Sequence, residues 1–471
     1  MNDSLSYIVG AFGREPFYPL LIRLFELCFG DRDIALTVLY IFQGICGLLS
    51  CLFLMHILRK RFQMGWILSI VSWGLLLMPF FFDSFFEDGV VYSHYIMTEC
   101  LSYSMFYLYI ALLIVFLEQK KMKYVSFVIM VVLTVIMTMN RNQMMILHGV
   151  SLIAAVIVFV GKWKKRSVDS GENIDSCKVG PRKARLIILL FAQVFLVAGF
   201  FIGTDLLTKL YCQVNFGLFE KSSENSFTSV TNLLYLSEEE DVALFDDSDT
   251  KAVFEEIYEK LDDNQYRNNY SDQKKDLMYV DSGSDYLNQG RYMSVCHDLI
   301  KSTILRPVMG EYAQKLGYSD WDYEGDQIKK QILSEILSGL REKHLVEYIL
   351  VCASTWPYGF AYDVMPIFYP GMDYVMLPVG IMIWIAFIVG FLLLACNKNR
   401  RKRNRLLIAT VFCIAAFTVC NTVAISFVIF YVTRYLNYTQ GLIWIMAILV
   451  WRAVCSERFS KGKRMDSVPL N

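Results

Sequence analysis

The stretch from Tyr95 to Leu117, YIMTECLSYSMFYLYIALLIVFL, decides how the chain is read. It has the length of about 20 apolar residues that a helix needs to cross a bilayer. Glu99 is its only charge. A carboxylate at the bilayer centre costs roughly 2.5 kcal/mol or more, and much less near an interface. Glu99 is therefore expected at one mouth of the membrane.

The composition around this stretch agrees. Hydrophobic residues make up 55% of the chain, aromatics 15% and charged residues only 19%. That balance excludes an ordinary soluble enzyme and predicts an all-α polytopic membrane protein. The twelve cysteines are scattered without a Cys-x-x-Cys pair, which suggests neither a zinc site nor a disulfide framework. Cys212, Cys296 and Cys352 are open to pairing in an oxidising compartment, with free thiols as the expectation. Residues 1–13 lack the basic start and apolar core of a cleavable signal.

About nine spans are predicted. They are Ile34–Leu58, Trp66–Phe82, Tyr95–Leu117, Tyr124–Met139, Met144–Gly161, Leu186–Leu207, Tyr374–Cys396, Leu406–Val432 and a last one after Arg434-Tyr435 ending near Arg452. The expected organisation runs in five parts. Residues 1–33 form an extracytoplasmic loop with an interfacial amphipathic helix, and 34–207 hold the first six membrane helices. Residues 208–373 form an acidic, mainly helical extracytoplasmic domain, in which Ile328, Ile332, Leu333, Ile336, Leu337 and Leu340 make an apolar stripe at helical spacing. Residues 374–454 supply three more membrane helices, and 455–471 are a basic cytoplasmic tail suited to anionic headgroups.

Charge sets the expected sidedness. The segments after spans one, three, five, seven and nine hold more than half of the 45 lysines and arginines, which the positive-inside rule assigns to the cytoplasm. Glu99 then faces outward, with Asp3, Tyr7, Arg14, Asp83, Glu87, Asp88, His94, Arg141, Arg434 and Tyr435. At mid-depth only His148 and Asn421 are strongly polar, which disfavours a proton-coupled transporter. An outward polar surface on a membrane platform suggests chemistry on a lipid-borne substrate.

Several motifs on that surface resemble a known family. Asp3-Ser4-Leu5-Ser6-Tyr7, then Gly13-Arg14-Glu15-Pro16-Phe17-Tyr18-Pro19-Leu20-Leu21 and Phe29-Gly30, resemble the first outer loop of GT-C glycosyltransferases. That superfamily includes protein O-mannosyltransferases and lipid A aminoarabinose transferases. Met97-Thr98-Glu99-Cys100-Leu101-Ser102 is similar to its acidic signature at the outer start of a helix. Asn140-Arg141 and Arg434-Tyr435 resemble its Arg-bearing outer turns. The likeness covers residues 1–166 well and 374–454 loosely, and residues 208–373 not at all. It departs in having Ser4 where many members carry a second acid, and it implies a first helix upstream of Met1.

The resemblance implies transfer of a sugar, with inversion, from a polyprenyl-phosphate donor to an extracytoplasmic acceptor. Asp3 would be the general base, with Glu99 orienting the acceptor or holding a divalent cation, the one cofactor the pattern suggests. Arg14, Arg141 and Arg434 would hold the donor phosphate, and Tyr7, His94 and Tyr435 would line the substrate. Membrane lipids are the other expected partners. The acidity of 208–373 argues against nucleic acid. Other functional classes stay open: a lipid-linked glycan polymerase or ligase, a flippase of lipid-linked sugars, or a non-catalytic partner.

Five of the site residues also have a plainer reading. Asp3 fits a solvated terminus, Glu99 a helix-start carboxylate, Arg141 a hairpin tip reaching headgroups, Arg434 a structural charge and His94 a surface histidine. The acids of 238–263 read as a solvated face. Asp281–Asp285 has part of a calcium-loop pattern without its later glutamate. Asn437-Tyr438-Thr439 fits a glycosylation sequon set against a span.

Overall fold

The computed structural model describes residues 7–8, 15–81, 98–118, 124–169, 181–217, 219–220, 224–267, 295–318, 323–364, 373–427 and 433–465. Among them there are helices and no strand. Seven helices are long and apolar enough to cross a membrane, which defines a multi-pass membrane architecture. Two further expected spans are shorter apolar helices, Trp66–Phe80 and Val125–Asn140. The chain forms two compact units. The first is Met1–Phe219, Met382–Cys420 and Asn437–Asn471, and the second is Glu220–Ile381 and Asn421–Leu436.

The first unit begins with α1 (Phe17–Phe29), entered through Pro16 and closed by Gly30 at φ 71°. That left-handed conformation suits glycine, whose amide bonds Glu26 O at 2.9 Å. Tyr18, Pro19 and Ile22 face the protein, whereas Leu27 is 83% exposed. One packed face and one bare apolar face suit a helix lying along a membrane surface. Next comes α2 (Arg32–Phe62), capped by Asp31, whose side chain accepts from the Ile34 amide at 2.9 Å. Its last turn carries Arg59, Lys60 and Arg61, favourable charges at a helix C-terminus.

After α3 (Trp66–Phe81) the chain reaches α4 (Thr98–Glu118), the helix of the opening stretch. Some 72% of its span is buried, against 17% for Ala184–Phe216. So α4 is the centre of the unit, and the second helix presents its apolar surface outward. Against α4 pack α2, α5 (Tyr124–Asn140) and α6 (Ile146–Asp169), and α7 (Pro181–Phe216) packs on α5 and α6. The run of α7 continues beyond the 207 expected. The aromatic core of the unit includes Phe80 edge-on to Tyr103 at 5.8 Å, and Phe106 against Phe417 at 4.8 Å.

The second unit contains α8 (Glu224–Leu234), α9 (Ser248–Asp263), a π-helical segment Val295–Leu305 running into α10 (Arg306–Lys315), and the long α11 (Tyr323–Tyr362). The predicted stripe on α11 is its core face: Ile332, Leu333, Ile336 and Leu340 are buried against Phe245, Phe254 and Val308, with Ile328 and Leu337 partly buried beside them. The start of α9 is fixed by Asp247, which accepts from the Thr250 amide and hydroxyl at 2.8 and 2.9 Å.

The chain ends in α12 (Asp373–Cys396), α13 (Lys398–Arg403), α14 (Arg405–Ser426) and α15 (Thr433–Met465). In the first unit α15 approaches α3 so closely that a Cβ on Gly441 would stand 2.2 Å from the Leu75 carbonyl oxygen. Only glycine fits there.

Candidate functional site

Glu99 sits in the first turn of α4, where a carboxylate meets the positive end of the helix dipole. Arg141 lies where α5 ends and a short 3₁₀ turn, Asn142–Met145, begins, with its own backbone extended at φ −153° and ψ 121°. That break turns the guanidinium toward α4. Its Nη1 lies 3.1 Å from Glu99 Oε1, and both side chains are buried. The same Nη1 donates to the Tyr438 hydroxyl at 3.3 Å. Tyr438 is itself fully buried on α15, edge-on to Tyr103 at 4.7 Å. Thr98 Oγ1 donates to the second Glu99 oxygen at 3.3 Å.

Asn140 stitches the same two helix ends together. Its Nδ2 donates to the Thr98 carbonyl at 3.1 Å and to Ser102 Oγ at 2.6 Å. Its Oδ1 is buried without a hydrogen-bond partner. Nearby on α1, Tyr18 donates to Gln43 Oε1 at 2.6 Å and packs edge-on against Tyr7 at 5.5 Å. Burial first, then the neighbouring Cys100 and Glu99, push the Tyr18 phenol well up. A buried ion pair of this kind gives little net stability, but losing one partner strands the other charge. The arrangement fixes a cation, a carboxylate and hydrogen-bonding groups in one place.

Of the residues singled out from sequence, the structure brings Glu99 and Arg141 together. Tyr7 is buried against Tyr18. Asp3, Arg14 and His94 lie outside the described residues, as do Asp83, Glu87, Asp88 and Asp281–Asp285. Arg434 and Tyr435 belong to the first turn of α15, and their side chains lie outside the described residues. Sequence reasoning did not assign a role to Tyr438, Asn140, Ser102 or Gln43. Asn140 and Ser102 lay inside motifs already noted, and the signal for Tyr438 was the polar run Asn437-Tyr438-Thr439-Gln440 at the head of an apolar span. Burial of Tyr438, Thr439 and Gln440 makes that sequon a poor acceptor.

Among the described residues Glu99 belongs to no cluster of three metal-ligating groups; the cluster with that spacing is Glu238, Asp241 and His344 in the second unit. There the Lys343 ammonium lies 2.7 Å from Glu238 Oε2 and 2.6 Å from Asp241 Oδ1, and His344 Nε2 lies 2.9 Å from Asp241 Oδ2. A lysine thus takes the place of a metal cation. This corrects one sequence expectation: Glu239, Glu240, Asp246 and Asp263 do face solvent, but Asp241 is fully buried. The capping box it forms with Glu238 turns it inward, onto α11. A second fully buried acid, Asp363, accepts from Thr422 Oγ1 at 2.5 Å, and burial pushes its carboxyl well up. His148 is buried with its ring edge-on to Phe201 at 5.7 Å, as a packing residue. No disulfide joins any of the described cysteines.

No family model, no curated protein and no solved structure matches this chain. The class that the described residues define is an all-helical, multi-pass membrane protein.

Proposed function

We propose that the chain is an integral membrane glycosyltransferase that moves a sugar from a polyprenyl-phosphate donor to an extracytoplasmic acceptor. The observation that carries this reading is the buried Glu99–Arg141–Tyr438 constellation at the head of the most buried membrane helix. In the reaction, the acceptor oxygen bonds to the anomeric carbon as the bond from that carbon to the phosphate oxygen breaks. The electron pair departs on the polyprenyl phosphate, and the acceptor hydroxyl proton passes to a carboxylate.

Two needs follow from this chemistry. The departing phosphate needs a positioned cation, and Arg141 suits it because a guanidinium makes paired, charge-assisted bonds to phosphate oxygens. Its contacts with Glu99 and Tyr438 fix the side chain beforehand, so little is lost to reorganisation when charge develops. The acceptor needs a base, a contribution of about 10²–10⁴-fold. Glu99 already holds Arg141 at 3.1 Å, so it is assigned to orienting Arg141 and the acceptor hydroxyl. The resemblance assigns the base to Asp3, further phosphate contacts to Arg14 and Arg434, and the substrate walls to Tyr7, His94 and Tyr435.

The test is transfer of labelled sugar from a polyprenyl-phosphate donor by the purified full-length chain. Arg141→Ala is expected to lower turnover by about 10²–10³-fold, the scale of losing one positioned electrostatic donor. Unchanged transfer in Glu99→Gln, Arg141→Ala and Asp3→Asn together would sink the assignment. Lipid movement without a new glycosidic bond would indicate a flippase, and products that grow by blocks a polymerase or ligase.

A further inference from the structure

At the far end of α4 from Glu99 lies a second arrangement that the transferase reading does not use. Glu118, the last residue of α4, pairs with Arg61 at 2.6 Å. At 1.5 Å per residue this places the pair about 28 Å along the helix from Glu99. Beside it a cavity of about 520 Å³ is lined by Arg61, Arg403, Arg452, Asn404 and Ser456, with Phe62 and Leu449 on its apolar wall.

Three observations converge on this cavity. Its charge is positive: three arginines line it, and Glu118 offsets one of them. Arg403 is exposed and has no carboxylate partner among the described residues. The donors are also held in place. Arg452 donates to the Gln63 carbonyl at 3.2 Å and to the Phe62 carbonyl, two acceptors left over at the end of α2, while Arg61 Nε is buried with no hydrogen-bond partner. Finally, the wall formed by Asn404, Leu406 and Leu407 is the N-terminus of the 22-residue helix α14, which favours an anion. Arginines, a helix start and an adjoining apolar wall together match a phosphate carried on a lipid, with the headgroup on the arginines and the glycerol end on Phe62 and Leu449. The charge bias assigns this face to the cytoplasm, where anionic headgroups bind basic pockets between membrane helices.

We infer that this cavity is a binding site for a phosphate group, that of an anionic phospholipid, separate from the Glu99–Arg141 site. The full-length chain in detergent is titrated with short-chain phosphatidylglycerol, with phosphatidylcholine of the same chains, and with inorganic phosphate alone, following lipid adducts by native mass spectrometry and the melting temperature. Phosphatidylglycerol is expected to bind and stabilise, and phosphatidylcholine to do neither. Arg403→Gln, an exposed substitution that leaves the packing intact, is expected to weaken binding about fivefold, and Arg61→Gln by a similar factor. Inorganic phosphate that stabilises as strongly as the lipid, with the same loss in Arg403→Gln, assigns the site to a free phosphate. Equal binding of the two lipids overturns the inference. So does a Lys402→Gln variant, outside the cavity, that weakens binding as much as Arg403→Gln, because the effect would then be general surface potential.

Discussion

Arg141 Nη1 lies 3.1 Å from Glu99 Oε1, with side chains 9% and 3% exposed. Forty-two positions apart in sequence, the two residues are joined because α5 ends at Asn140, whose amide binds both Thr98 O and Ser102 Oγ. The break after Asn140 leaves Arg141 extended and pointing back at α4.

Removing either charge strands the other in a buried site, a loss of about 3–5 kcal/mol. Glu99→Gln and Arg141→Met should each lower the melting temperature of the purified protein. The double variant should be less destabilised than the sum, because the second change removes the stranded charge. Strict additivity of the three melts would show that the pair is not energetically coupled.

Tyr438 combines ring packing with a hydroxyl contact, and the two separate cleanly. Tyr438→Phe keeps the edge contact with Tyr103 and the packing on Phe106, but removes the acceptor for Arg141. Its expected cost is about 1.5–3 kcal/mol, the worth of one hydrogen bond to a charged group, since Arg141 keeps its ion pair with Glu99. Tyr438→Ala also opens a cavity and should cost about 3–5 kcal/mol. Equal melting temperatures for the two variants would remove the hydroxyl from the site.

Gly441 tests the contact between α15 and α3. A Cβ there would meet the Leu75 carbonyl oxygen at 2.2 Å, a backbone atom that cannot turn aside. Gly441→Ala should therefore destabilise by about 1–3 kcal/mol or more. Gly199, in the interior of α7, has nothing within 4 Å of its added Cβ. Gly199→Ala should be neutral or stabilising by roughly 0.5–1 kcal/mol. Similar melting shifts in both variants would contradict the close helix contact.

The second unit carries a pH dependence. Burial alone would raise the Asp241 carboxyl, but hydrogen bonds from Lys343, from the Glu238 amide and from His344 outweigh it and hold the carboxyl below the usual carboxylate range. The unfolded chain then takes up the proton more readily than the folded one. The stabilisation is complete above the unfolded value of about 4, and is lost as pH falls through the lower folded value. Melting temperature should drop below about pH 4, and Asp241→Asn should flatten that drop while lowering stability at neutral pH. An identical acid profile in Asp241→Asn would refute it.

Much of the membrane architecture was legible in the sequence, since hydropathy is a local property: about 20 apolar residues span a bilayer whatever lies elsewhere in the chain. The helices Trp66–Phe81 and Tyr124–Asn140 agree to within one residue with the expected spans Trp66–Phe82 and Tyr124–Met139 for that reason. The apolar stripe of α11 was equally legible, since helical spacing alone places Ile332, Ile336 and Leu340 on one face.

The sequence by itself determined that Glu99 is the lone charge of its span, at the head of the helix, and that Arg141 breaks a hairpin between apolar runs. Only the tertiary structure decided that these two charges meet, and that Tyr438, 297 positions beyond Arg141, completes the contact. It also decided that Asp241 alone turns inward from a run of acids, onto Lys343 and His344. The physical reason is the same in both cases. Periodicity and charge fix which faces a helix offers, whereas the partner of a buried charge is chosen by packing between segments distant in sequence, where an unpaired ion is too costly to keep.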